Sequence, residues 1–230
     1  MSQHIAYLGP AGTHTEMACL EYNSKAVRLP RPSIIEAANA VSDGLAEECI
    51  VPIENSLQGS VTETLDLLIH KSSLMISNEL VLPIEHCLLA NKGAKLDDIK
   101  IIYSHPQALA QCRLYIAKYL PQSQEVASMS TSGAVEEMKK YGIQAAAIAS
   151  SRASKLYDCQ VLARSVADNP NNMTRFVILS KSDHPRTGND KTSICFSFGQ
   201  DKSGMLYSTL SEFSERNINL TKIESRPTRE

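Results

Sequence analysis

The sequence predicts an α/β fold with two lobes and a short β-α-β tail. Three observations predict it. Short apolar strands alternate with helical patterns over about the first 70 residues. A long extended apolar stretch, "LMISNELVLPIEHCLLA", separates that run from a second one of the same grammar. A polar linker then precedes a last strand–helix–strand pattern.

The elements follow in order. "HIAYL" reads as a strand, "THTEMACLEYN" as a helix, "AVRLP" as a strand, "SIIEAANAVSDG" as a helix, "ECIVPI" as a strand and "SVTETLDLLIH" as a helix. This is the βαβαβ order of an open sheet. From Leu74 the apolar stretch holds Pro83, which suits extended chain leading into a second lobe. There "IKIIYS", "QEVASM" and "AAAIAS" read as strands, and "PQALAQCRLYIAKYL" and "SGAVEEMKKYG" as helices. "CQVLARSVAD" and "MTRFVIL" supply strands near the return. Lobe one is thus expected at about 1–78 plus 165–181 and lobe two at about 79–164, with a ligand cleft between them. Residues 182–191 are polar, with Pro185 and Gly188, and read as a linker. In the tail, 192–230, "KTSICFSFG" and "INLTKIESRPT" read as strands around the helix "GMLYSTLSEFSERN".

Composition narrows the function. The 230 residues are 43% hydrophobic and 21% charged, as in soluble globular proteins, and the net charge is −2. Without a basic run, and with no Trp, a nucleic-acid surface is not expected. No stretch has the length of a membrane span and the N-terminus lacks the features of a signal peptide, so a cytoplasmic protein is expected. The six cysteines stand singly in apolar contexts, which suggests small core residues in a reducing compartment. The six histidines lack paired ligand spacing, so no metal is expected.

Three segments fit the S/T-x-x-E capping box: Thr13 with Glu16, Ser33 with Glu36 and Ser60 with Glu63. The first and third follow unusual loops. "GPAGTHTE" sets Gly9 and Gly12 between a strand and a helix, and "VPIENSLQGSVTE" sets Asn55, Ser56 and Gly59 in the same slot. Glycine permits close backbone approach and a helix start favours negative charge, so the pair suggests a ligand with two carboxylates. Plain structural turns are the alternative. In "YSHPQALAQC", Ser104 falls at a strand end, His105 suits a helix entry, Pro106 suits the first turn and Gln111 lies further along. In "NNMTRFVIL", Thr174 and Phe176 share one strand face and Arg175 takes the other. Thr174 could then meet a ligand over Phe176 as an apolar floor, while Arg175 holds a carboxylate or pairs with a structural Glu.

Together "GPAGTHTEMA", "VPIENSLQGSV", "SHPQALAQC" and "NNMTRF" resemble prephenate dehydratases, in order and over nearly the whole chain, and the tail resembles their regulatory ACT domain. The resemblance implies a periplasmic-binding-protein-like (type 2) catalytic domain and a partial ferredoxin-like βαβ ACT segment. It implies removal of water and carbon dioxide from prephenate to give phenylpyruvate, with no cofactor. Thr174 is the implied catalytic hydroxyl. Gly12, Thr13, Asn55, Ser56, Ser104, Gln111, Arg175 and Phe176 are the implied substrate-binding residues. L-phenylalanine is the implied effector, held by Gly204, Met205, Leu206, Glu224, Ser225, Arg226 and Pro227. A homodimer or homotetramer is implied as well.

The tail carries only about half of the ACT order β-α-β-β-α-β, so an uncovered sheet edge is expected. Met205 also stands where the family usually has a smaller residue. The rival reading is a two-lobed sensor that binds an amino acid or anion without chemistry.

Overall fold

The computed structural model describes residues 2–200 and 202–228. The chain divides into a larger unit, Met1–Pro185, and a smaller one, Arg186–Glu230.

In the larger unit the first lobe begins β1 His4–Leu8, α1 His14–Tyr22, β2 Val27–Arg31, α2 Ile34–Ser42 and β3 Glu48–Asn55. The two-residue β4 Gly59–Ser60, α3 Thr62–His70 and β5 Met75–Pro83 follow. Alternating apolar residues let β1 pair in parallel with β2 and β3, the helices serving as crossovers. The second lobe holds β6 Cys87–Ala90, β7 Ile101–Ser104, α4 Pro106–Gln111, α5 Arg113–Tyr119, β8 Gln124–Ala127, α6 Thr131–Lys139, β9 Ala145–Ala149, α7 Ser151–Leu156 and β10 Gln160–Ala163. The chain then returns as β11 Met173–Ser180, between β3 and β5 and antiparallel to both. The sheet orders are β2-β1-β3-β11-β5, with β4 attached to β3, and β10-β6-β9-β7-β8. Two sheets joined by two crossings form the expected two-lobed, type 2 binding-protein-like architecture.

Each sheet is packed on both faces. Val177 and Leu179 of β11 join Val51, Val41 and Leu67 on one face of the first sheet. Phe176 and Ile178 join Ile5, Tyr7 and Ile50 on the other. The all-buried run Ala145–Ala149 is the middle of the second core. Cys19, Cys49, Cys87 and Cys112 are buried core residues, and burial pushes the thiols of Cys19, Cys49 and Cys112 up to about 12, far from the reactive thiolate. Among the described residues no helix is long and apolar enough to cross a membrane.

Four expectations need correction. The first crossing does not fall at residue 78, because β5 stays paired with β11 until Pro83, opposite Met173. Proline is tolerated at this edge-strand terminus. "PQALAQCRLYIAKYL" is two helices rather than one. The Asp168 carboxylate accepts from Leu114 N and Tyr115 N, which gives α5 its own N-terminal partner, while Asp168 N donates to Gln111 O. Ser60 does not cap α3, for it pairs with Glu54 in the β4 ladder and leaves Val61 as the N-cap residue.

The fourth correction lies in the smaller unit. Its helix α8, Met205–Glu215, starts after Gly204 in a left-handed conformation, but neither flanking strand forms among the described residues. A strand exists through its ladder partner, and neither flank has one. Ile194, Phe196 and Phe198 alternate as a strand face should, yet stay exposed. The βαβ order is therefore present only in its helix. Asp201 of "DKSGMLYSTL", Met1, Arg229 and Glu230 lie outside the described residues.

Candidate active site

Asn55 ends β3 and Thr174 lies at the start of β11, and the antiparallel register sets them opposite each other. The Asn55 amide has one permitted orientation. Its Oδ1 accepts from the backbone N–H groups of Leu57 and Gln58, so its Nδ2 must donate. It donates to Thr174 Oγ1 at 2.9 Å, to Asn172 Oδ1 at 2.7 Å and to Met173 O at 3.1 Å. Thr174 is thus an acceptor through one lone pair, and its own proton has no acceptor among the described residues. Ser56 clips the same turn to the chain ahead of β11: its Oγ donates to Asn171 O and accepts from Met173 N.

The network continues across the crossing. Asn172 Nδ2 donates to Gln111 Oε1 at 2.9 Å, and His86 Nε2 lies 2.9 Å from the same oxygen. The break between α4 and α5 ends the first helix at Gln111, whose carbonyl and side chain both meet the returning crossing. His14 packs edge-on against His86, with ring centroids 5.7 Å apart, and its Nε2 lies 3.3 Å from Glu85 O. Burial lowers both imidazoles, His14 to about 4 with help from the neighbouring His86, so both rings are neutral near pH 7. The assembled groups are a hydroxyl, three amides and a neutral imidazole. They can donate hydrogen bonds to a departing oxygen or a carboxylate, without an ionised side chain in the chain of contacts.

Gly12 and Thr13 sit at a different seam between the lobes. Gly12, at φ +86, is where only glycine is comfortable, and a Cβ there would lie 3.1 Å from Ser132 Oγ of α6. Its carbonyl accepts from Ser150 Oγ of the second lobe at 2.7 Å. Its N–H donates to Glu16 Oε2, and Arg152 of α7 grips the same carboxylate through Nε at 2.9 Å and Nη2 at 3.0 Å. Arg28 adds a third contact at 3.6 Å. Burial pushes the Glu16 carboxyl up, but Arg152, the Gly12 N–H and the Arg28 charge outweigh it and hold it below the usual range. The anion expected at the start of α1 is therefore the protein's own Glu16. Thr13 caps α1 by accepting from Glu16 N at 3.3 Å. In these contacts both residues serve the protein's own structure.

Three further residues make contacts with the protein itself. Ser104 has no exposed surface, and its hydroxyl donates to Ile148 O at 2.6 Å, tying β7 to β9. Phe176 is 1% exposed among Ile5, Tyr7 and Ile50, so it is core and not the floor of a pocket. Arg175 lies 2.6 Å from Glu79 and 3.7 Å from Glu54, on the strands either side of β11, a geometry that supports the structural pair of its two alternatives. The structure thus brings together Thr174, Asn55 and Gln111, with Ser56 beside them. Sequence reasoning missed His86, Asn172 and the Glu16–Arg152 pair. The available signal for His86 was an imidazole beside Glu85 inside the otherwise apolar "LPIEHCLLA".

Comparison with known proteins agrees with this architecture. The family model described as prephenate dehydratase matches residues 5–184. A bifunctional chorismate mutase/prephenate dehydratase of Pseudomonas aeruginosa is 40% identical over 226 residues, which are 98% of this chain and 61% of that protein. A prephenate dehydratase of Lactococcus lactis subsp. cremoris is 38% identical over 229 residues, covering 98% of this chain and 81% of its own. A crystal structure of prephenate dehydratase from Arthrobacter aurescens in complex with L-Phe superposes with a TM-score of 0.91 at 37% identity, over 98% of this chain and 76% of that one. This chain therefore spans about three-fifths of the bifunctional relative. The matched residues run from β1 through β11 and so include both lobes and the Thr174 network, and on that basis the chain belongs to the prephenate dehydratase family.

Proposed function

We propose that this chain converts prephenate to phenylpyruvate, water and carbon dioxide. The observation that carries the reading is the Thr174 hydroxyl, held by Asn55 through its oxygen, with its proton directed to no acceptor among the described residues. In the reaction the ring C–O bond breaks with its electron pair on oxygen. The ring carboxylate leaves as carbon dioxide, and the pair from its C–C bond completes the aromatic ring. Thr174 donates a hydrogen bond to the departing hydroxyl, which takes up a proton and leaves as water. Donation from Asn55 to Thr174 Oγ1 polarises that O–H. Aromatisation supplies the driving force, so the protein's part is orientation and donor placement. The test is addition of prephenate and measurement of phenylpyruvate absorbance. A folded chain that produces none would overturn the assignment, and arogenate in a parallel assay defines the substrate range.

The remaining features of the reading are a cytoplasmic homo-oligomer, with L-phenylalanine acting through residues 192–230 and the segments Gly204–Leu206 and Glu224–Pro227. Support comes from the L-Phe in the Arthrobacter aurescens relative and from the exposed apolar residues of the smaller unit. Calorimetric titration with L-phenylalanine, alongside turnover, tests this part.

Arg175 supplies a separate check. Its contacts with Glu79 and Glu54 are partly solvated, so Arg175→Met should lower stability by about 1 kcal/mol or less and leave KM for prephenate within about two-fold. A KM raised by an order of magnitude would return Arg175 to the substrate.

A further inference from the structure

We propose that His86 is a positioning residue for this reaction: by donating from Nε2 it fixes the Gln111 amide, so that Gln111 and Thr174 offer their hydrogen-bond donors together. The inference rests on the activity proposed above and extends it to a residue that need not touch substrate.

The argument begins at the backbone. Two N–H groups, those of Leu57 and Gln58, fix which end of the Asn55 amide is oxygen. Asn55 Nδ2 then donates to Asn172, so the Asn172 atom facing it is Oδ1, and Nδ2 of Asn172 points to Gln111. The Gln111 atom that receives this donor is Oε1. His86 Nε2 lies 2.9 Å from that oxygen, so Nε2 carries the imidazole proton. Nδ1 is left bare, and it is buried with no partner among the described residues. The adjacent His14 ring directs its own Nε2 to Glu85 O.

The arrangement has a consequence for Gln111. With both sites on Oε1 occupied, its amide cannot flip without opposing donor to donor at Asn172 and forcing the His86 proton from Nε2 to Nδ1. Its own N–H groups have no acceptor in Asn172 or His86 and stay available, as does the Thr174 proton. A His86 that is 4% exposed with an unpartnered Nδ1 makes a poor choice for mere core filling, since an apolar side chain would leave no orphaned atom. Its Nε2 contact accounts for its presence.

Two measurements test the proposal. Nitrogen NMR of the folded wild-type protein should find His86 neutral at pH 7, with the proton on Nε2. A proton on Nδ1, or a charged ring, overturns the proposal whether or not prephenate turns over. In turnover assays His86→Leu should lower kcat by on the order of ten- to a hundred-fold with little change in KM. His86→Gln, which restores an N–H at a similar reach, should recover most of that loss. Equal losses in both variants, or a loss in KM alone, would reduce His86 to a structural residue and overturn the proposal. Wild-type inactivity with the expected tautomer would instead overturn the functional reading and leave the Gln111 geometry standing.

Discussion

Thr174→Ala is expected to lower kcat for prephenate by a hundred- to a thousand-fold, the usual loss when one preorganised donor is removed, or about 2.7–4 kcal/mol in the barrier. The fold should survive the change. Thr174 lies at the start of β11, and its hydroxyl provides one of three acceptors for Asn55 Nδ2. When it is removed, Asn172 Oδ1 and Met173 O still satisfy that amide, so the stability loss should be near 1 kcal/mol. A small structural effect beside a large kinetic one is the signature of a group that acts on the substrate. Thr174→Ser retains the hydroxyl and should recover part of the rate, whereas Thr174→Val keeps the branched shape that suits a strand and should not. Phenylpyruvate formation, measured beside a urea unfolding curve for each variant, decides the matter. A folded Thr174→Ala chain with wild-type kcat would remove the hydroxyl from the mechanism.

The parts of this molecule that could be read from sequence are those whose causes are local. Ser33 caps α2 and His105 caps α4, with Pro106 in its first turn, because each cap needs only a neighbour a few residues away. Strand–helix alternation was legible for the same reason. The break between α4 and α5 was not, because Asp168 causes it from a distant crossing. The tail strands failed in the opposite sense. "KTSICFSFG" has the right alternation, but pairing is a property of two segments, and the alternation alone does not show whether the second is there. At the site, Asn55, Gln111 and Thr174 were visible as polar residues at strand or helix ends. Asn172 stood in the quoted stretch without a role, and His86 was hidden because its partner Gln111 is only brought to it by the fold. Gly12 shows how the expected chemistry can be met within the chain. The helix start does attract a carboxylate, and that carboxylate is on Glu16, in the first turn of the same helix. The burial of Phe176 and Ser104 was not legible because it depends on what covers a strand, and their covering residues come from elsewhere in the chain.

Replacing Glu16 should have the largest effect on stability. Its side chain is 6% exposed and joins the lobes, with α1 on one side and Arg152 of α7 on the other. Glu16→Ala removes the partner of a bidentate guanidinium and of the Gly12 N–H together. Breaking a buried pair in this way costs about 3–5 kcal/mol, and the partial exposure of Arg152 and Arg28 places the expectation near the lower figure. Glu16→Gln keeps the volume and separates charge from packing. The pH dependence follows from the depressed carboxyl. A carboxylate whose native pKa lies below its unfolded value stabilises fully above the unfolded value, and that stabilisation drains as pH falls through the native one. The difference between wild type and Glu16→Gln in urea should therefore be widest at neutral pH and narrow in acid. His14 costs the folded state stability as pH falls from its ordinary value of 6.5 to about 4, because the unfolded ring takes a proton that the buried ring refuses. Both variants retain His14, so that loss cancels in the comparison and only the Glu16 contribution is left. A Glu16→Gln chain as stable as wild type at pH 7, or a difference that stays constant into acid, would mean that the seam at Gly12 is held by Ser150 and by packing rather than by this ion pair.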